Sequence, residues 1–380
     1  MQKFDATFSE PVFLEWATLL YMRAFESVGS NDLEVLTPYF SAPVLDRLRI
    51  RYGTRVTDVR GVVLGSIKLV TLNANANAVS LAVAFQSNST AVYENGREQA
   101  SYVHETWMFS RAPGVTSRTP ALIERMGCPS CGSPVERTAL DRCVHCQAAF
   151  VPGALDWTVV NINLNEQEPR GPLLTGDVEE VGTQLPTVFD PAVKQKLDAL
   201  TRADPAFGRQ TFEARAREVF LALQDGWSRQ SWERLRPNET DALFQSHRFW
   251  LEEFKRQNLR NVLDAVTVKR IEIAKVDSDV HYDAVTCRIH ASMKDSTINQ
   301  TSQQVVAGNP KRVRDFTEYW TFIRSHGVAT KPSRDLKCPN CGAPLEVTQA
   351  GVCSSCEAKL TRGEFGWVLS RIDQDEEYTG

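Results

Sequence analysis

The sequence lacks long apolar runs: nowhere in its 380 residues does a stretch approach the roughly 20 apolar residues of a helical membrane span. The opening stretch MQKFDATFSEPVF has neither the basic start nor the apolar run of a signal peptide, so a cytoplasmic location is expected. Charge of one sign is missing too. Lys and Arg number 43 against 47 Asp and Glu, a formal net charge of -4, which gives no global electrostatic case for nucleic acid. Cysteine outside two short motifs is limited to Cys287. That usage fits a reducing compartment and not a disulfide framework.

What is present is a repeated cysteine motif. "CPSCGSPVERTALDRCVHC" runs from Cys128 to Cys146 and "CPNCGAPLEVTQAGVCSSC" from Cys338 to Cys356, each cysteine of the second lying 210 positions after its counterpart. A Cys-x-x-Cys turn points two sulfurs at one ion, and two such turns on a short hairpin close a tetrahedral shell. Cys128, Cys131, Cys143 and Cys146 form one expected site, and Cys338, Cys341, Cys353 and Cys356 the other. Each is expected to hold one structural Zn2+, two ions in all, with Pro129, Gly132, Pro339 and Gly342 shaping the knuckles. A rubredoxin-like iron site and a dithiol redox pair are the competing readings; "CVHC" and "CSSC" lack the Pro/Gly turn that rubredoxin repeats. His145 is expected to be an exposed turn residue.

The repeat extends beyond the cysteines. Asp5, Phe8 and Phe13 are spaced as Asp204, Phe207 and Phe212, and the same offset of 199 puts Leu36 and Pro38 on Leu235 and Pro237. "HETWMFSR" matches "TEYWTFIR", and "WTVVNI" at Trp157 matches "WVLSRI" at Trp367. A period this long marks a duplicated domain and not a solenoid. Apolar content of 42% with 24% charged residues is that of a globular chain, and the length suggests two domains of about 190 residues each.

Within each copy the pattern runs from helix to strand. Phe212, Ala216, Val219, Phe220, Leu223 and Trp227 recur at three- and four-residue steps, and a second helix is expected over Asp241–Gln257 with Leu243, His247, Leu251 and Phe254 on one side. Val79, Leu81, Val83 and Phe85 then alternate with small residues, as do Val285, Cys287, Ile289 and Ala291. On this alignment Cys287 takes the place of Leu81 and is a core residue. Further strands are expected at Val59–Leu72, Val266–Ile273, Tyr102–Arg111, Phe316–Arg324 and after each ribbon, with "KRVR" at Lys311–Arg314 as the loop leading into the Trp320 strand. This order is α+β. The expected division is 1–163 with a ribbon at 126–150, a linker at 164–203 carrying a short helix near Pro191–Thr201, and 204–376 with a ribbon at 336–360.

The second copy, with "DPAFGRQTFEARAREVFLALQDGWSRQSWERLRP", "NVLDAVTVKRIEI", "FTEYWTFIRS" and "GWVLSRI", resembles bacterial domains similar to the C-terminal domain of subunit forty-four of the mitochondrial inner-membrane translocase. The first copy resembles them more loosely. The resemblance implies the cone of the nuclear transport factor two superfamily: N-terminal helices packed on a curved antiparallel sheet, here in tandem, each with a zinc ribbon inserted before the last strand. It also implies tethering, because the relatives bind protein partners and anionic membranes and are not enzymes. The chain is therefore expected to be a non-enzymatic adaptor with a protein partner, peripheral membrane contact as a further possibility, no nucleic acid, and its two cones paired as an intramolecular pseudo-dimer. A small-molecule or lipid carrier, or a weak enzyme, using the cone pocket is the alternative.

Pocket or partner candidates follow. Glu105 and Glu318 each stand two residues before Trp107 and Trp320 and share their strand face, so one of them could reach a pocket; a plain ion pair at the sheet rim with Arg111 or Arg324, six residues on, is the competing reading. The tryptophans are expected in the core beneath each ribbon, together with Trp157 and Trp367. No histidine occurs at matching positions in the two copies. Phe249, nearly opposite Leu251 on its helix, is expected to face solvent amid Arg248, Lys255, Arg256 and Arg260, where an anionic headgroup or an acidic partner would meet it.

Overall fold

The computed structural model describes residues 5–30, 32–53, 55–75, 77–123, 126–138, 140–169, 181–330 and 337–380. The chain forms two compact units, Met1–Pro172 and Leu173–Gly380.

The first unit opens with α1 (Glu10–Gly29), capped by the Ser9 hydroxyl, which accepts from the Val12 amide. A 3-10 turn at Leu33–Leu36, α2 (Ala42–Tyr52), β1 (Val56–Ala74), β2 (Val79–Tyr93) and β3 (Glu98–Arg111) follow. A short α3 (Pro120–Ile123) leads to the first cysteine motif, and β4 (Thr158–Glu168) closes the sheet. The strands pair antiparallel in the order β1-β2-β3-β4. Val12, Phe13, Trp16, Ala17, Leu20, Tyr21, Ala24 and Phe25 form the buried stripe of α1, so the apolar helical period is satisfied by one sheet face.

The second unit repeats the plan. After α4 (Val193–Ala203) come α5 (Arg209–Ser228), a short α6 (Trp232–Leu235), α7 (Asp241–Arg256), β5 (Leu259–Ser278), β6 (Tyr282–Asn299), β7 (Val305–Ser325), the second cysteine motif and β8 (Val368–Gln374). The sheet order is β5-β6-β7-β8, again antiparallel. Phe212, Ala216, Val219, Phe220 and Leu223 are buried on α5 as the periodicity predicts, and Trp227 is partly buried against the same core. The first strand of each sheet carries one left-handed residue at a register shift, Gly61 (φ 65) and Ala265 (φ 53), a bulge that bends the strand.

Three expectations need correction. Cys287 lies opposite Trp320, as Val83 lies opposite Trp107, so its counterpart is Val83 and not Leu81. A slip of two residues leaves the inward face unchanged, which is why alternation alone does not expose it. Cys287 is buried in the core, and burial pushes its thiol well up. "KRVR" is no loop before a strand: β7 already begins at Val305, and the register jump from Val313 to Asn309 opposite Lys294 and Asp295 makes 310–312 a bulge within it. The stretch 164–203 is also more structured than a linker. Leu164 is in β4, and Leu200 of α4, the helix expected near Pro191–Thr201, joins the second core; residues 170–180 lie outside the described residues.

The outer face of the second sheet is covered by residues 182–190 and the C-terminal Tyr378. Arg288, 1% exposed, donates to the carbonyls of Gly182 and Leu185 and pairs with Asp375 at 2.9 Å. The Tyr319 hydroxyl oxygen accepts from the Val188 amide at 2.8 Å, and its ring stacks on Tyr378 at 3.8 Å.

Candidate metal centres and buried carboxylates

In each cysteine motif the four sulfurs lie within 4.8 Å of one another. Cys128–Cys146, Cys131–Cys143 and Cys338–Cys356 are separated by 3.7, 3.9 and 3.9 Å. A tetrahedron with zinc–sulfur bonds of about 2.3 Å has edges of about 3.8 Å, so the donor set fits one tetrahedral ion per ribbon. The turns explain the convergence. Gly132 and Gly342 both adopt φ 75, and their amides donate back to Cys128 and Cys338. The second knuckles close the same way without glycine: Gln147 (φ 62) and Glu357 (φ 60) donate to Cys143 and Cys353. The sequence difference between first and second knuckles therefore produces no difference in backbone. The first cysteine of each knuckle is buried, Cys128 and Cys143, Cys338 and Cys353, against Phe150 in one ribbon and Leu360 in the other. His145 is exposed, 4.0 Å from Glu136, and outside the shell.

Each ribbon is clamped to its sheet at one glycine. Gly153 and Gly363 (φ 75 and 80) accept from Ala112 and Ser325, and a Cβ on either would stand 2.9 Å from the Cα of Arg111 or Arg324. Both the left-handed backbone and the close approach require glycine. The second ribbon has an additional anchor. Arg236, 1% exposed, donates to the Gln349 carbonyl at 2.8 Å and pairs with Asp241, which also takes Lys359 at 2.6 Å.

The arginines do not pair with Glu105 and Glu318. Six residues along a strand span roughly 20 Å, too far for an ion pair. Instead Arg111 reaches Asp5 at 2.6 Å, and Arg324 reaches Asp204 at 2.5 Å and Asp283 at 2.9 Å. Asp5 and Asp204 sit just before α1 and α5, and each also accepts from a residue past the third strand, Ser117 or Thr330. The guanidiniums lie over Trp157 at 4.1 Å and Trp367 at 4.7 Å. Each tryptophan packs on the phenylalanines that the repeat singles out, Phe8 and Phe13 or Phe207 and Phe212. Asp5 and Asp204 are visible in the sequence as a repeated acid, but nothing local ties them to arginines more than 100 residues away.

Trp107 and Trp320 are each 1% exposed, so they are core. Their indole N–H groups donate to Glu105 at 3.0 Å and Glu318 at 2.9 Å. Glu105 is further paired with Arg51 at 2.7 Å, while Glu318 accepts from Gln374 at 3.1 Å. Phe249, expected to face solvent, is half-buried, its ring edge-on to that of Trp250, which is half-buried too. Arg248 is paired with Glu252 and donates to Gln349, Arg256 is paired with Glu253, and Lys255 is exposed. In the first domain a small hollow of about 20 Å³, room for a water molecule, lies beside Trp157, between Phe13, Trp16, Arg118 and Asp156. No helix among the described residues is long and apolar enough to cross a membrane.

Residues 193–334 match the family model of the Tim44-like domain. The match starts at the first residue of α4 and stops before the second ribbon; it covers less than half of the chain and leaves out the first domain. A search of the curated proteins finds no match.

Proposed function

We propose that this chain is a non-enzymatic adaptor in which two tandem cone-shaped domains, each stiffened by a structural zinc ribbon, present binding surfaces to a protein partner in the cytoplasm. The observation that carries the reading is the same closed four-sulfur shell at the same point of both domains, between the third and fourth strands. Four thiolates leave no open position for water or substrate, so an ion there supplies folding energy to a loop with little core of its own. The strand carboxylates fit the same reading. Glu105 and Glu318 each already accept from a tryptophan indole and one further side chain, which leaves neither poised as a general base. The Tim44-like match supports a tethering role for the second domain.

The test is affinity capture from the native organism with the wild-type chain and with the Cys338→Ser, Cys353→Ser double variant, after native mass spectrometry has counted bound ions. Two zinc ions, and a partner lost with the variant, are expected. Iron with visible absorbance would overturn the metal assignment, and undisturbed partner binding and stability in the double variant would remove the ribbon from the recognition role. A ligand retained in the native mass spectrum would instead support the alternative, a small-molecule or lipid carrier. Peripheral membrane contact through Arg248, Lys255 and Arg256 predicts co-sedimentation with anionic and not neutral vesicles.

A further inference from the structure

The second domain holds an ionisable pair at α7, Glu239 and His247, that its twin replaces with apolar residues. Glu239, in the loop before α7, is 0% exposed; one carboxylate oxygen lies 2.5 Å from Nδ1 of His247, and the other is buried without a hydrogen bond. Glu318 on β7 acts on the same imidazole through its charge. Under the offset of 199, Glu239 and His247 stand where the first domain has Phe40 and Leu48, both buried apolar residues. The strand parallels confirm the first equivalence, since Phe40 bridges Val159 as Glu239 bridges Leu369. In the first domain Glu105 is balanced by Arg51, a cation at every accessible pH. In the second, the cation next to Glu239 is an imidazole, the side chain that titrates near neutrality.

The other groups facing His247 leave that assignment intact. On α5, Trp227 meets its ring edge-on at 6.0 Å and is neutral. Arg236 donates to the main-chain carbonyl of Glu239, and its charge is matched by Asp241. On β7 and β8, Trp320 and Gln374 donate to Glu318 without adding charge.

We propose that Glu239 and His247 form a proton-operated latch in the second domain, which pins α7 while the imidazole is protonated and releases it on deprotonation. Burial lowers the His247 value, but the charges of Glu239 and Glu318 outweigh it and hold the imidazole above its ordinary 6.5. The folded value is thus raised, so the stabilisation is complete below about pH 6.5 and is lost as pH rises through the folded value. The latch tightens in mild acid and loosens in mild alkali, the reverse of a site where acid strips a carboxylate of its charge.

The test is an NMR titration of the histidine ring protons in the intact, metal-loaded chain, with His247 identified by its absence in His247→Gln. In parallel, hydrogen exchange of α7 is followed from pH 6 to 9 and corrected for the intrinsic pH dependence of exchange. A midpoint above 6.5, lowered by about one unit or more in Glu239→Gln, is expected, with α7 protection falling across the same midpoint in the wild type. A His247 midpoint at or below 6.5, or α7 protection that follows the same course in His247→Gln as in the wild type, would overturn the latch. If His247→Gln does not fold, the Glu239→Gln titration decides alone: an unmoved midpoint refutes the proposal.

Discussion

Asp5→Asn and Asp204→Asn are the same chemical change at the same place in two copies of one fold, yet they should not cost the same. Arg111 is 1% exposed at its side chain, and Asp5 is the carboxylate in hydrogen-bonding contact with it. Asp156 is within electrostatic reach, but its carboxylate is taken by Arg118 at 2.6 Å. Asp5→Asn therefore leaves a buried guanidinium facing an amide and a serine hydroxyl, a loss of about 3–5 kcal/mol. Arg324 is as deeply buried but keeps Asp283 at 2.9 Å when Asp204 is replaced. There the loss is that of one charged hydrogen bond, about 1.5–3 kcal/mol. Because the two domains need not unfold together, the assay is urea titration read by domain-resolved hydrogen exchange, using peptides from α1 and α5. Equal losses in the two domains, or a loss below about 1 kcal/mol for Asp5→Asn, would refute the idea that these arginines depend on counter-charge and leave stacking on Trp157 and Trp367 as their main support.

The same pair sets an acid limit. Burial opposes the charge on Asp5, but hydrogen bonds from Thr7, Ser117 and Arg111 outweigh it and hold its carboxyl at about 2; the folded value is depressed, so its contribution is complete above about pH 4 and disappears as pH falls toward 2. Near-ultraviolet circular dichroism of the first domain should lose amplitude in that window, and Asp5→Asn should flatten the loss. Cobalt should replace the native ion at two equivalents and give the intense visible bands of tetrahedral sulfur coordination, with Cys338→Ser reducing the uptake to one equivalent. Gly363→Ala, strained at φ 80 and 2.9 Å from the Arg324 Cα, should cost about 2 kcal/mol or more, lift the second ribbon from β7, and show raised exchange at Ser325, whose amide donates to the residue 363 carbonyl. Gly342→Ala, with the same sign of φ but open space around it, should suffer the backbone strain alone and lose less stability.

Which of these features are legible in the sequence depends on the range over which each is specified. A Cys-x-x-Cys knuckle is decided within five residues, so all eight cysteines of the two clusters and both turn glycines can be read directly. Helical stripes are decided within one element, and Phe212 to Trp227 fall where the period puts them. Register between strands is not local: a shift of two preserves the inward face, so the pattern assigns Cys287 to the core but not to its partner. The Asp–Arg pairs depend on where the chain returns after more than 100 residues, and the nearer acids, Glu105 and Glu318, are the obvious partners for the arginines until strand geometry sets them apart.

The duplication helps and misleads in equal measure when it serves as a filter for function. Requiring a residue to recur selects what both copies need: the knuckles, the clamp glycines, the Asp–Arg–Trp stack. It discards what one copy acquired alone, and His247, with Leu48 as its counterpart, is lost by that criterion. Yet a buried glutamate with a half-buried histidine in place of Phe40 and Leu48 is the less stable choice, since apolar side chains would fill the same space without a desolvation cost. A charged pair that persists at that cost in one domain, beside a twin that shows the apolar solution works, is better evidence of a role than recurrence would be. The shared residues account for the fold, and the places where the copies part, Glu239 with His247 and the Arg236–Asp241–Lys359 anchor of the second ribbon, are where the second domain departs from being a spare copy of the first.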